Sequence, residues 1–155
     1  MNKYVFILGI LFALSSALAK VPVTVMPGVV EVQLPSMTYL LSDEECPIPD
    51  RVRETIREQF QNALGDPDWS KKGELSCMLS SQDFGLFVTS LKLKLEIADY
   101  ELLFEDAQNL ENGAGILTQE WKLDVDKGQS VIMLTYYMAD GAKDVVLYAY
   151  SQSKN

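Results

Sequence analysis

The sequence predicts an α+β fold, in which one long helix over residues 51–64 packs on an antiparallel sheet of about six strands. Three observations lead to this prediction. Residues 51–64 repeat apolar side chains at helical spacing, residues 84–97 alternate in the manner of a strand, and residues 116–150 form apolar segments joined by short turns. A second helix packed on the sheet, over residues 99–111, is one of two interpretations of that segment.

The helix over residues 51–64 begins after Asp50 and ends before Gly65. An acidic residue suits a helix N-terminus, and glycine is the residue that most often follows a helix in the left-handed conformation. Three arginines, Arg51, Arg53 and Arg57, make the outer face locally basic. We interpret this face as hydrated, with a binding surface as the alternative. The apolar positions that define the inner face are Val52, Ile56, Phe60, Ala63 and Leu64.

Residues 84–97 contain the longest regular alternation in the chain. A period of two predicts a strand with one buried face and one hydrated face. Residues 74–80 are predicted to form the preceding strand of the same hairpin. The helix over residues 51–64 is expected to lie across the sheet face that Leu91, Leu93 and Leu95 form with Trp121. The alternating residues are Leu91, Leu93, Leu95 and Ile97 on one side, with Lys92, Lys94 and Glu96 on the other.

The segment over residues 99–111 has two interpretations, because a short apolar run fits either period. A helix is favoured, beginning at Asp99 and ending at Asn112-Gly113, where glycine suits a C-terminal stop. A strand is the alternative, and it continues the sheet. The helix groups Tyr100, Leu103, Phe104, Ala107 and Leu110, whereas the strand groups Tyr100, Leu102 and Phe104.

The remaining strands are predicted over residues 29–34 and 37–41 near the N-terminus, and over residues 116–125, 131–138 and 145–150 near the C-terminus. Residues 131–138 are largely apolar on both faces of the expected strand, which predicts a central place in the sheet. Four tyrosines in these last strands are interpreted as core residues, with a ligand groove as the alternative. They are Tyr136, Tyr137, Tyr148 and Tyr150.

The first 19 residues have the three parts of a secretory signal peptide. Lys3 supplies the positive charge, residues 5–14 form an apolar run, and Ala17-Leu18-Ala19 matches a cleavage site. Cleavage leaves residues 20–155 as a single secreted or periplasmic domain. An uncleaved membrane anchor is the alternative, although the apolar run is short for a membrane span.

Two cysteines, Cys46 and Cys77, are present in this chain. In an oxidising compartment the simplest expectation is one disulfide between them. A reactive thiol pair is the alternative, but such pairs usually have the spacing C-x-x-C, which is absent here.

The chain is acidic, with 22 aspartates and glutamates against 13 lysines and arginines and a formal charge of −9. Removal of the leader takes away Lys3 and makes the charge −10. Such a charge repels nucleic acids and anionic lipids and attracts cationic proteins. We therefore expect a basic protein partner, no nucleic-acid partner and no stable membrane insertion after cleavage.

The chain contains no histidine, which removes the usual imidazole base and the common zinc and copper ligand sets. Glycine-rich nucleotide motifs and the nucleophile elbow are also absent. We predict no cofactor, no metal site and no catalytic residue. A pair of carboxylates could still catalyse glycoside hydrolysis, but nothing singles out a pair among Glu101, Glu105, Asp106, Glu111, Glu120 and Asp124.

These observations favour an exported, non-enzymatic protein-binding domain, such as an inhibitor or immunity-type protein that faces a cationic partner. One alternative is a small-ligand carrier or paired-carboxylate hydrolase with a cavity between helix and sheet. Another alternative is a structural component of a surface or matrix. The partner-binding candidates form two acidic groups. They are Asp43, Glu44 and Glu45 in a loop, and Glu101, Glu105 and Asp106 within residues 99–111, the segment that is interpreted as either a helix or a strand.

Overall fold

The structure is a computed structural model that describes residues 20–125 and 128–154. Within these residues the chain forms two helices, nine strands and one turn of 3₁₀ helix at Trp69–Lys71, so the predicted α+β class is confirmed. The elements are β1 Val21–Pro22, β2 Val25–Met26, β3 Val29–Gln33, β4 Thr38–Leu41, α1 Asp50–Leu64, β5 Glu74–Ser80, α2 Phe84–Ile97, β6 Glu101–Asn109, β7 Gly115–Val125, β8 Gly128–Met138 and β9 Val145–Lys154.

Seven strands form one antiparallel sheet in the order β1-β4-β5-β9-β8-β7-β6, and β2 pairs with β3 in a separate hairpin. The strand predicted over residues 131–138 is central, as expected, because it buries side chains on both faces. Ile132 and Leu134 belong to one core cluster, and Met133 and Tyr137 belong to the other. The sheet therefore lies between two covering layers.

Helix α1 covers one face of the sheet, which we call the α1 face. Ile56 and Phe60 are fully buried there against residues of β8 and β9. The helix ends as the sequence predicts, because Gly65 takes the left-handed conformation (φ 64°) and its N–H bonds to the carbonyl of Gln61. The predicted helix over residues 51–64 is confirmed.

The prediction for residues 84–97 is wrong, because this segment is helix α2 and not a strand. The carboxylate of Asp83 accepts hydrogen bonds from the backbone N–H groups of Gly85 and Leu86, which fixes the helix start. Phe87, Leu91 and Leu95 follow at a spacing of four and are fully buried. The buried residues of α2 therefore follow a helical repeat.

The alternation over residues 91–97 arises from two apolar residues on the outer side of α2. Leu91 and Leu95 fit a period of two as well as a helical repeat, so they do not distinguish the two structures. Leu93 and Ile97 complete the alternation, yet they are 56% and 73% exposed. The strand pattern is therefore a by-product of an unusual apolar outer face.

Helix α2 and the β2–β3 hairpin cover the second face of the sheet, which we call the α2 face. Trp121 is buried on this face together with Leu91 and Leu95 of α2. The expectation that α1 lies across Trp121 and these leucines is therefore wrong. Strand β5 pairs with β4 and β9 and forms no hairpin with residues 84–97.

The favoured interpretation of residues 99–111 is also wrong, since they form edge strand β6 and the turn after it. Asp99 takes a left-handed conformation (φ 64°) just beyond the end of α2, where it redirects the chain into the strand. Gly113 (φ 79°) lies in the turn between β6 and β7. These residues form a strand because they pair with β7. Such pairing depends on a distant part of the chain, so it cannot be predicted from local propensity.

The predicted disulfide between Cys46 and Cys77 is confirmed, with a Cα–Cα distance of 5.9 Å. It joins the loop between β4 and α1 to strand β5 and closes the chain segment that contains α1. Both cysteines are buried in the core of the α1 face.

The predicted leader, residues 1–19, lies outside the described residues, and its cleavage stays a prediction. Across residues 20–125 and 128–154, no helix is long and apolar enough to cross a membrane.

Candidate interaction surface

The acidic loop after β4 is largely occupied by contacts within the chain. Arg53 donates hydrogen bonds to the carboxylate of Asp43 at 3.0 Å and to the carbonyl oxygens of Asp43 and Cys46. Glu45 accepts hydrogen bonds from the backbone N–H and hydroxyl of Ser42, and these bonds lower the pKa of its carboxyl. Glu44 is exposed. Two of the three predicted binding residues therefore shape the loop that carries the disulfide.

The arginines of α1 also make internal contacts. Arg53 holds the acidic loop, and the Nε of Arg57 donates to the hydroxyl of Tyr148 at 3.2 Å. The predicted basic face of this helix thus directs two of its three guanidinium groups toward the loop and the sheet.

The second acidic group lies on β6, at one edge of the main sheet. Among the described residues, β6 pairs only with β7, so its other edge has no neighbouring strand. Glu101 is opposite Lys122, Glu105 is opposite Gln119, and Asp106 is opposite Thr118. At about 3.3 Å per residue, the three carboxylates span roughly 17 Å along the edge.

Two large apolar side chains are exposed on the same strand. A bulge interrupts the pairing between Leu102 and Phe104. At this point Leu103 is 50% exposed and Phe104 is 49% exposed. We call these residues, with the three carboxylates, the β6 edge surface: Glu101, Leu103, Phe104, Glu105 and Asp106.

The sequence did not identify Leu103 and Phe104 as surface residues. The helical interpretation of this segment placed both on a buried face. The signal that could have found them is the strand interpretation of this segment, in which each face of the strand mixes apolar and polar residues and neither face is apolar throughout.

A buried polar network anchors the middle of the β6 edge surface. Gln119 of β7 is fully buried, and its side-chain N–H donates to the carboxylate of Glu105 at 2.7 Å. Its carbonyl oxygen accepts from the indole N–H of Trp121 and from the hydroxyl of Tyr136, both fully buried. Burial and the nearby charge of Glu105 raise the pKa of Tyr136, so its hydroxyl stays a donor.

The two acidic groups lie far apart. The loop over residues 43–45 follows β4, and four strands separate β4 from β6 in the sheet. With about 4.8 Å between neighbouring strands, this separation is roughly 24 Å. The structure therefore does not bring the two groups into one surface, and the β6 group is the one that stands beside an unpaired edge.

Aromatic side chains fill the space between α1 and the sheet. Phe60 stacks on Tyr148 with ring centroids 6.3 Å apart, and Trp69 meets Tyr150 edge to face at 4.8 Å. All four tyrosines of the last strands are buried, three on the α1 face and Tyr136 on the α2 face. Their interpretation as core residues fits this arrangement better than a ligand groove does.

Four surface grooves have volumes between 290 and 360 Å³, and all are open to solvent. The groove at the start of α2 has mainly apolar walls, including Phe84, Leu117 and Met138. The groove between α1 and β5 contains Arg57, Glu74 and Tyr148. Tyr148 lines this second groove and also stacks on Phe60 in the layer between α1 and the sheet.

The described residues contain no cluster of three or more cysteine, aspartate or glutamate side chains that could hold a metal ion. Glu120, opposite Phe104 on β7, is half-buried, and desolvation raises the pKa of its carboxyl. It lines none of the four grooves above. Comparison of the chain with models of protein families, with curated proteins and with solved structures finds no match.

Proposed function

We propose that this chain is an exported, non-enzymatic protein-binding domain that binds an extended, basic segment of a partner protein along β6. The observation that carries the proposal is the β6 edge surface. It combines a nine-residue edge strand, three carboxylates and two exposed apolar side chains. An inhibitor that occupies a cationic enzyme is the form of this function that best suits a small, acidic, exported domain.

The backbone of β6 supports strand addition. An edge strand presents N–H and C=O groups that can pair with a further strand. Nine residues provide an edge about 30 Å long, enough for a partner segment of similar length. Main-chain pairing of this kind supplies affinity, while the side chains along the edge select the partner.

The charges on β6 select a basic partner and oppose self-pairing. Opposite charges on directly paired residues of neighbouring strands are favourable, and like charges are unfavourable. A second copy of β6 would bring its own Glu101, Glu105 and Asp106 against the same carboxylates. The formal charge of −9 adds long-range attraction for a cationic protein.

The exposed apolar residues supply contact area that carboxylates alone do not. Leu103 and Phe104 lie between Glu101 and Glu105 along the strand, so side chains of a strand added at this edge can contact them beside the carboxylates. An apolar centre with a charged rim is the usual arrangement of protein interfaces.

The alternatives have less support from the geometry. A carrier or hydrolase was expected to use a cavity between helix and sheet, where aromatic rings are packed instead. For a hydrolase, the acid with a raised pKa is Glu120, which faces Phe104 across the strands. A structural component of a surface or matrix would use the same β6 edge, and it would differ from the proposed function only in the partner that binds there.

The test uses a nine-residue peptide of alternating lysine and valine, compared with the same peptide carrying glutamate in place of lysine. The variant Glu101→Lys with Asp106→Lys reverses charge without disturbing the Gln119 network. The control variant, Glu54→Lys with Glu58→Lys, makes the same change in net charge on exposed positions of α1.

We expect the lysine peptide to bind the wild-type chain and the β6 variant to bind it at least about tenfold more weakly, with the control closer to wild type. Affinity should fall steeply as salt increases, because the contact is electrostatic and exposed. Equal binding of the two peptides, or equal loss in both variants, would contradict the proposal.

A further inference from the structure

Helix α2 has an apolar outer face as well as an apolar inner face. Phe87, Leu91 and Leu95 are fully buried on the sheet. Leu86, Leu93 and Ile97 point the other way and are 68%, 56% and 73% exposed. A helix that covers a sheet normally presents polar residues to water, so this outer face is unusual.

The exposed residues follow the spacing of a helix–helix seam. With Ser90 included, the outer stripe consists of Leu86, Ser90, Leu93 and Ile97, which are four, three and four residues apart. This is the alternation of apolar positions by which two helices pack side by side. At 1.5 Å per residue the stripe is about 16 Å long.

We propose that this outer stripe is the interface of a homodimer in which the α2 helices of two copies pack antiparallel. A two-fold axis near Thr89 and Ser90 places Leu86 of each copy against Leu93 of the other. The small side chains of Thr89 and Ser90 lie where the helices cross, and they allow close approach.

The charges beside the stripe fit a second copy in the antiparallel direction. Helical geometry places Asp83 and Lys94 on the same flank of the stripe, at opposite ends of α2. In an antiparallel pair, each Lys94 therefore meets Asp83 of the other copy, and two opposite-charge contacts form.

The size of the contact predicts a weak dimer. One pair of 14-residue helices, each about 21 Å long, lies at the low end of specific protein interfaces. We therefore expect reversible association with a dissociation constant on the order of 100 µM. The residues involved differ from those of the β6 edge surface, so the two proposals succeed or fail separately.

Sedimentation equilibrium of the full chain, expressed with its own leader so that any processing occurs, measures the association. Leu93→Glu should weaken the dimer at least about tenfold, because it places two carboxylates in the seam. The matched control is Leu103→Glu, a leucine of similar exposure on β6, which should leave association unchanged. Lys94→Asp should weaken the dimer more than Lys143→Asp, an exposed lysine in the β8–β9 turn.

Cross-linking tests the direction of the helices. Ser90→Cys lies at the proposed axis and should form a disulfide between copies under mild oxidation, whereas Ile97→Cys lies at the far end and should not. Lys143→Cys gives the background of random collision. A monomer at every concentration would overturn the proposal, as would loss of the dimer in Leu103→Glu, or cross-linking of Ile97→Cys as fast as Ser90→Cys.

Discussion

Replacing both cysteines, by Cys46→Ser with Cys77→Ser, is expected to lower the free energy of unfolding by about 3–4 kcal/mol. The disulfide closes a segment with a sequence separation of 31 residues, and its loss gives the unfolded chain more conformations. It also frees the loop that Arg53 and Asp43 hold against α1.

Denaturant unfolding followed by far-UV circular dichroism measures this loss. The control is Arg53→Met, which removes the hydrogen bonds to the loop but keeps the disulfide, and which should cost less than the double serine variant. A loss below about 1 kcal/mol in the double variant would contradict the structural role assigned to this bond.

Replacing Gln119 with leucine is expected to lower the free energy of unfolding by about 2–5 kcal/mol. The substitution leaves the indole N–H of Trp121 and the hydroxyl of Tyr136 without their acceptor in fully buried positions. Each unsatisfied buried donor costs about 1–3 kcal/mol, and the extra apolar side chain offsets part of that cost.

The matched control is Gln108→Leu, an exposed position on β6 that should change stability by less than about 0.5 kcal/mol. Adding Tyr136→Phe to Gln119→Leu removes one unsatisfied donor, so the double variant should lose less than the sum of the single losses. Additive losses would show that the network does not act as a unit.

The parts of the fold that can be predicted from the sequence are those for which a single local pattern, such as one apolar repeat, is sufficient. Helix α1 has a polar outer face and a helical apolar stripe, so a single period describes it. Strand β8 is apolar on both faces, and the central place in the sheet follows from burial alone. The disulfide follows from two cysteines in a chain that is predicted to be exported.

The parts that sequence does not predict depend on contacts between distant segments. Leu93 and Ile97 make α2 resemble a strand, because an exposed apolar residue cannot be distinguished from a buried one in the sequence. Residues 99–111 become β6 because β7 stands beside them. That error placed Leu103 and Phe104 in the core and concealed the surface that we propose binds a partner.

The candidate binding residues were predicted in part. Glu101, Glu105 and Asp106 were named from charge alone, and the structure places them along one unpaired edge. Asp43 and Glu45 were named from the same signal, and they bind Arg53 and Ser42 in a loop away from that edge. On β6, Glu105 and Asp106 also accept hydrogen bonds, from Gln119 and Gln108. Charge in a sequence does not tell which carboxylates have partners within the fold.

The measurement that tests the central claim most directly is amide hydrogen exchange of the chain, with and without a saturating lysine–valine peptide. Strand addition predicts slower exchange at alternate residues of β6, whose outward N–H groups become hydrogen-bonded, and no change in β4 near the opposite edge. Protection of the loop over residues 43–45 or of α1, with exchange in β6 unchanged, would contradict the account.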